Sequence, residues 1–160
     1  MNLFYDILKM VFTCSNLIKN RKLHPKLNSR MPDNLPPMRF FSRKLIKPTD
    51  LNAHGTLFGG SVLAWIDEEA AIYVTCQLGK GNIVTKFMSE IDFVSSAKLG
   101  DIIEIGMETV KFGKSSITVR CLVREKFNHE TIISIDKIVF VHMDKHGNPT
   151  PHNILEPANE

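Results

Sequence analysis

Three consecutive carboxylates, Asp67, Glu68 and Glu69, stand in the middle of the longest apolar stretch of this chain. At about 3.6 residues per helical turn they point in three different directions. Asp67 shares its stripe with Gly60, Leu63, Ala64, Ala71, Val74 and Leu78, all small or apolar. A carboxylate in such company is costly unless something pairs with it. Burial would raise its pKa, and hydrogen bonds to the anion would lower it. On pattern alone Asp67 is either one more acid on a solvated helix flank or a proton acceptor held out of water. Glu68 and Glu69 read as the solvated flank. Just upstream, Gly59-Gly60 falls where the first helical turn begins. N–H groups there have no partner within the helix and carry the positive end of its dipole. Glycines let a substrate oxygen come close to them, which is the equipment for holding an oxyanion. An ordinary tight turn is the plainer reading of the same pair. Asp67 lies two turns beyond Gly60, roughly 10 Å by helix rise.

The element that would position these groups is a helix over Ser61 to Leu78, ended by Gly79. Twelve of its 18 residues are apolar and they occupy every face. Such a helix is buried all round, so the spacing predicts a sheet on one side and another subunit on the other. Strands are expected at Phe40 to Ile46, Ile83 to Phe93, Ile102 to Val110, Ser116 to Glu125 and Thr131 to His142. Ile103, Ile105 and Met107 face one way in the third; Ile117, Val119, Cys121 and Val123 face one way in the fourth. Short turns between them make neighbours antiparallel. The fold class is therefore α+β, a five-stranded antiparallel sheet wrapped on one long helix.

The net charge of +3 comes from one end. Residues 1–30 carry six Lys or Arg against one acid, and the remainder carries 14 basic and 16 acidic side chains. No basic domain points to nucleic acid as a partner. No apolar run is long enough to span a membrane. Residues 1–38 are expected to be a basic extension, either disordered or a mis-assigned start, with a short amphipathic helix over Leu3 to Phe12 as the feature that would suit a membrane surface or targeting. The compact domain is expected over 39–152, with a polar tail at 153–160. Cys14, Cys76 and Cys121 are odd in number and widely spaced, which argues for a reducing compartment and against a disulfide framework. Cys76 and Cys121 lie in apolar runs and read as inert core thiols. Among His129, His142, His146 and His152 only His142 and His146 loosely have the spacing of metal ligands, and they straddle a strand end and a turn, so no metal site is expected.

The run Leu51-Asn52-Ala53-His54-Gly55-Thr56-Leu57-Phe58-Gly59-Gly60, followed by Trp65-Ile66-Asp67-Glu68, resembles the acyl-CoA thioesterases of the hotdog superfamily. These include the YciA-like enzymes and the cytosolic brain-type acyl-CoA hydrolases. The resemblance covers about Arg39 to His152. It implies a hotdog fold, homodimers whose sheets join, assembly as a trimer of dimers, and a cytoplasmic enzyme that needs no cofactor, coenzyme A being part of the substrate. It implies that Asp67 is the general base or the nucleophile, that Asn52 from the other protomer positions the water or the thioester, and that the Gly60 amide polarises the carbonyl. Gly59, His54 and the turn residues Lys114, Ser115 and Ser116 would contact the rest of the acyl-CoA. An exposed strand turn and a plain loop side chain are the alternatives for Lys114 to Ser116 and for His54. Hydrolysis of a fatty acyl-CoA to the free acid and coenzyme A is the activity implied. A non-catalytic acyl-CoA-binding module is the rival, and it would not require an acid at position 67.

Overall fold

The structure is a computed structural model that describes residues 38–79 and 81–154. The expectations for residues 1–37, including the amphipathic helix and Cys14, and for 155–160 lie outside them. The described elements are β1 (Arg39–Leu45), a short 3-10 turn (Pro48–Asp50), α1 (Gly59–Leu78), β2 (Asn82–Met88), β3 (Ile91–Phe93), β4 (Ile102–Phe112), β5 (Ser116–Glu125) and β6 (Thr131–Met143). All pairings are antiparallel. The sheet runs β1-β4-β5-β6-β2, with β3 also on β6.

The sheet therefore has six strands where five are expected. The difference is a kink. β2 and β3 occupy the stretch expected as one strand, and both pair with β6. Ser89 breaks the run: its N–H bonds to the Lys137 carbonyl, while its hydroxyl accepts the Lys137 N–H. A side chain thus takes the place of one ladder carbonyl, and the strand restarts at Ile91.

Helix α1 touches β2, β4, β5 and β6. A cylinder about 10 Å wide reaches four strands spaced about 4.8 Å apart only if the sheet curves around it. This is the hotdog arrangement. Val62, Ile66, Ala70 and Val74 form the buried stripe of α1. They meet Ile103, Ile105, Ile117, Val119, Cys121, Val123, Ile135, Ile138 and Phe140 in one core. The helix starts two residues earlier than expected and ends on Gly79 in the left-handed region (φ 72°), whose N–H returns to the Cys76 carbonyl.

One expectation needs correction. Within one chain the sheet covers one side of the helix, and Ala64, Glu68, Ile72 and Cys76, each four residues apart, make an open stripe on the other, the side expected to meet another subunit. Cys76 is therefore exposed and is not a core thiol, since the sheet covers only one side of the helix. Cys121 is buried as expected, and burial pushes its thiol pKa up to about 12.

Candidate active site

Asp67 sits on the flank of α1 that faces β2, half-buried between the core stripe and the open stripe. The Thr85 hydroxyl on β2 donates to its Oδ1 at 2.9 Å. Among the described residues, Oδ2 makes no hydrogen bond or ion pair. The apolar surroundings expected for Asp67 are present on one side only, because β2 is the edge strand of the sheet among the described residues. Glu68 is exposed and Glu69 half-buried. Glu69 belongs to the opposite flank, where it lines an apolar cavity of about 200 Å³ with Phe41, Ile72, Tyr73, Cys76, Ile105 and Met107.

The start of α1 is open. Phe58 at the N-cap offers no side-chain bond to the first turn, and no carbonyl among the described residues accepts the Gly59 or Gly60 N–H. A side chain at either position would crowd an aromatic ring. A Cβ at 59 would lie 3.1 Å from the Phe93 ring, and a Cβ at 60 would lie 2.7 Å from the Phe58 ring. The two glycines let these aromatic rings close on the backbone while leaving its N–H groups bare.

The preceding loop is tied by Asn52. Its Oδ1 accepts the His54 N–H at 2.8 Å and the Thr56 N–H at 3.2 Å, and its Nδ2 donates to Thr56 Oγ1 at 2.9 Å. Within the one chain, and among the described residues, no bond joins Asn52 to Asp67. His54 is exposed, and its part in this network is its backbone N–H.

The turn Gly113 to Ser116 joins β4 to β5. Ser116 pairs with Val141 and Val141 with Val84, so this turn begins one residue row from Thr85 and two strand spacings, about 10 Å, away. Lys114 is exposed. The His142 N–H of β6 reaches the Ser115 carbonyl at 2.8 Å, and beyond β6 the His152 N–H reaches the Lys114 carbonyl at 3.3 Å.

The sequence profile of the thioesterase superfamily matches residues 54–131. An apo-hexameric acyl-CoA thioesterase of known structure is 32% identical, with 74% of this chain and 78% of that chain covered and a TM-score of 0.63. This chain belongs to the thioesterase superfamily. An acyl-CoA hydrolase from Staphylococcus aureus, solved with butyryl coenzyme A, coenzyme A and coenzyme A disulfide, is 30% identical over 74% of this chain and 71% of that one, with a TM-score of 0.65. Structures of that hydrolase also exist with an asparagine, an aspartate or a threonine replaced by alanine. The first two lie fifteen positions apart, and the threonine lies seventeen beyond the aspartate. The acyl-CoA thioester hydrolase YciA of Salmonella typhimurium is 27% identical over 125 residues, 74% of this chain and 93% of that protein. The chain spans 62%, 64% and 50% of the length of the first three curated relatives it matches.

Within this superfamily domain, Thr85 is the site residue that sequence reasoning missed. It is one hydroxyl in an alternating strand, eighteen residues from Asp67, and no local pattern marks it. The one available signal was the strand itself, whose inward positions border the helix flank that carries the acid.

Proposed function

We propose that this protein hydrolyses acyl-CoA thioesters to a free acid and coenzyme A, with Asp67 as the catalytic carboxylate. One observation carries the reading: a helix-borne carboxylate has one oxygen fixed by Thr85 and the other unbonded among the described residues, two turns from an uncapped, glycine-lined helix start. Asn52 and Asp67 are fifteen positions apart and Thr85 follows eighteen beyond, close to the spacing of the three residues replaced in the staphylococcal hydrolase.

In this reading Asp67 Oδ2 takes a proton from water as the water oxygen attacks the thioester carbonyl carbon. The electron pair displaced onto the carbonyl oxygen is met by the Gly60 N–H at the positive end of α1. Collapse breaks the carbon–sulfur bond, and the proton held by Asp67 passes to the departing thiolate. Direct attack by Asp67 would instead form an anhydride, which water then opens. The site is completed by a second copy, Asn52 of one protomer serving Asp67 of the other. Lys114, Ser115 and Ser116 line the way for the nucleotide end of coenzyme A, with Gly59 and His54 at the thioester end. The assembly is a homodimer, and the hexameric relatives support a trimer of such dimers.

The test is Asp67→Asn, assayed by thiol release across acetyl- to palmitoyl-CoA. Turnover should fall by about 10²–10⁴ with the fold unchanged. Full turnover in that variant would remove Asp67 from the mechanism. Coenzyme A binding without turnover of any chain length in the unsubstituted protein would favour a binding module.

A further inference from the structure

The contacts of Asn52 decide what that side chain can do, and they involve a residue that has no assigned role. We propose that Thr56 is a positioning residue that locks the Asn52 carboxamide so that it faces the site as a donor only, aimed at the thioester carbonyl oxygen. This rests on the hydrolase reading above.

A carboxamide has one acceptor oxygen and two N–H donors. In Asn52 the oxygen is used within the loop, by the His54 N–H at 2.8 Å and the Thr56 N–H at 3.2 Å, with the Thr56 hydroxyl 3.3 Å away. Turning the amide over would set an NH2 group against two backbone N–H groups, so the orientation is determined. One of the two Nδ2 protons goes to Thr56 Oγ1 at 2.9 Å. The other is the single group left for a ligand. Asn52 therefore cannot accept a proton from a water and orient it that way. A donor aimed at the attacking lone pair would weaken the nucleophile, whereas a donor aimed at the carbonyl oxygen stabilises the charge that develops there. The productive target is the carbonyl.

Thr56 is itself held firmly. Its carbonyl accepts the Asn52 N–H at 2.8 Å, and it bridges to Lys98 across the loop. Gly55, at φ +73°, supplies the left-handed turn that brings position 56 back over position 52. The hydroxyl is thus fixed from the backbone side, and the Asn52 amide is fixed by the hydroxyl.

The experiment is steady-state hydrolysis by the full chain carrying Thr56→Val, Thr56→Ser, Asn52→Ala, Asn52→Asp or the Thr56→Val/Asn52→Ala pair. Thr56→Val keeps the shape and the backbone N–H and loses the hydroxyl. It should lower kcat roughly tenfold to a hundredfold, the scale of a misplaced catalytic group, with KM little changed. Thr56→Ser should retain most of the activity. Asn52→Asp keeps the acceptor and loses the donor, so it should fall as far as Asn52→Ala. The pair should be no slower than Asn52→Ala alone. A Thr56→Val effect that persists undiminished in the Asn52→Ala background would assign Thr56 to loop stability and overturn the proposal. So would wild-type kcat in Thr56→Val while Asp67→Asn is dead, an outcome that leaves the hydrolase reading standing. Absence of turnover in the unsubstituted protein would sink both.

Discussion

Asp67 shows how little of a carboxylate's role is carried by the acid alone. Its Oδ1 is tied to Thr85 on a different element, and this bond sets the direction in which Oδ2 points. At an exposed edge such a bond competes with water, so it orients the carboxylate and adds little net stability. Thr85→Val removes the donor at nearly constant volume. It should reduce turnover by roughly tenfold to a hundredfold and leave the melting temperature nearly unchanged, because Thr85 lies at the exposed edge. Stopped-flow thiol release beside thermal melts would check both. An equal loss in stability would mean that Thr85 serves the sheet and not the carboxylate. Of the residues proposed for the site, Asn52, Gly59, Gly60 and Asp67 could be nominated from sequence because their types and spacing are local to one loop and one helix. Thr85 and Thr56 were not, since a threonine gains its meaning only from what its hydroxyl touches.

Strand β4 carries a second feature that its alternation hides. Ile103, Ile105 and Met107 enter the core as expected, yet Glu104 on the opposite face is only 1% exposed. Arg124 donates through Nε at 2.7 Å, Lys126 approaches to 3.1 Å and Arg43 to 3.7 Å. Phe40 closes over this face, its ring packed above Gly106 and under the Arg124 guanidinium. Burial raises the Glu104 pKa, but the bonds from Arg124 and Lys126 outweigh it and hold the carboxyl below its ordinary value. A depressed folded-state pKa means that the stabilising contribution is full above the unfolded-state value, about 4.3, and is lost as pH falls through the folded-state value. Glu104→Gln should therefore lower stability at pH 7 by about 2 kcal/mol, and the gap should close on acidification below the folded-state pKa. Urea unfolding at pH 7 and in acid would test this. A gap independent of pH would point to packing instead of charge.

The described residues leave apolar surface that their own fold does not cover. Ile72 on the open stripe of α1 is 51% exposed, and Phe58, Phe87 and Phe93, near the helix start and the edge strand, are each more than half exposed. Burying them against a second copy would gain about 25 cal/mol per Å² of apolar area, which fits the proposed dimer. Ile72→Glu should shift the protein to monomer in light-scattering chromatography and reduce turnover with it. Mass mapping of thiol labelling should find Cys76 labelled faster in that variant than in the unsubstituted protein, and Cys121 unreactive in both. Retention of the oligomer with slow Cys76 labelling would place the interface elsewhere.

Composition, periodicity and one loop motif were enough to determine the α+β class, the long helix and its end at Gly79, and to nominate the loop and helix residues proposed for the site, because each depends on neighbours within a few turns of chain. The tertiary structure alone decided that Ser89 splits an expected strand, that Cys76 lies on an open face, that Glu104 gathers three cations, and that Thr85 and Thr56 hold the two polar side chains of the site. These facts depend on which distant backbones the sheet brings together, and a hydroxyl or a thiol carries no mark in sequence of what will stand opposite it.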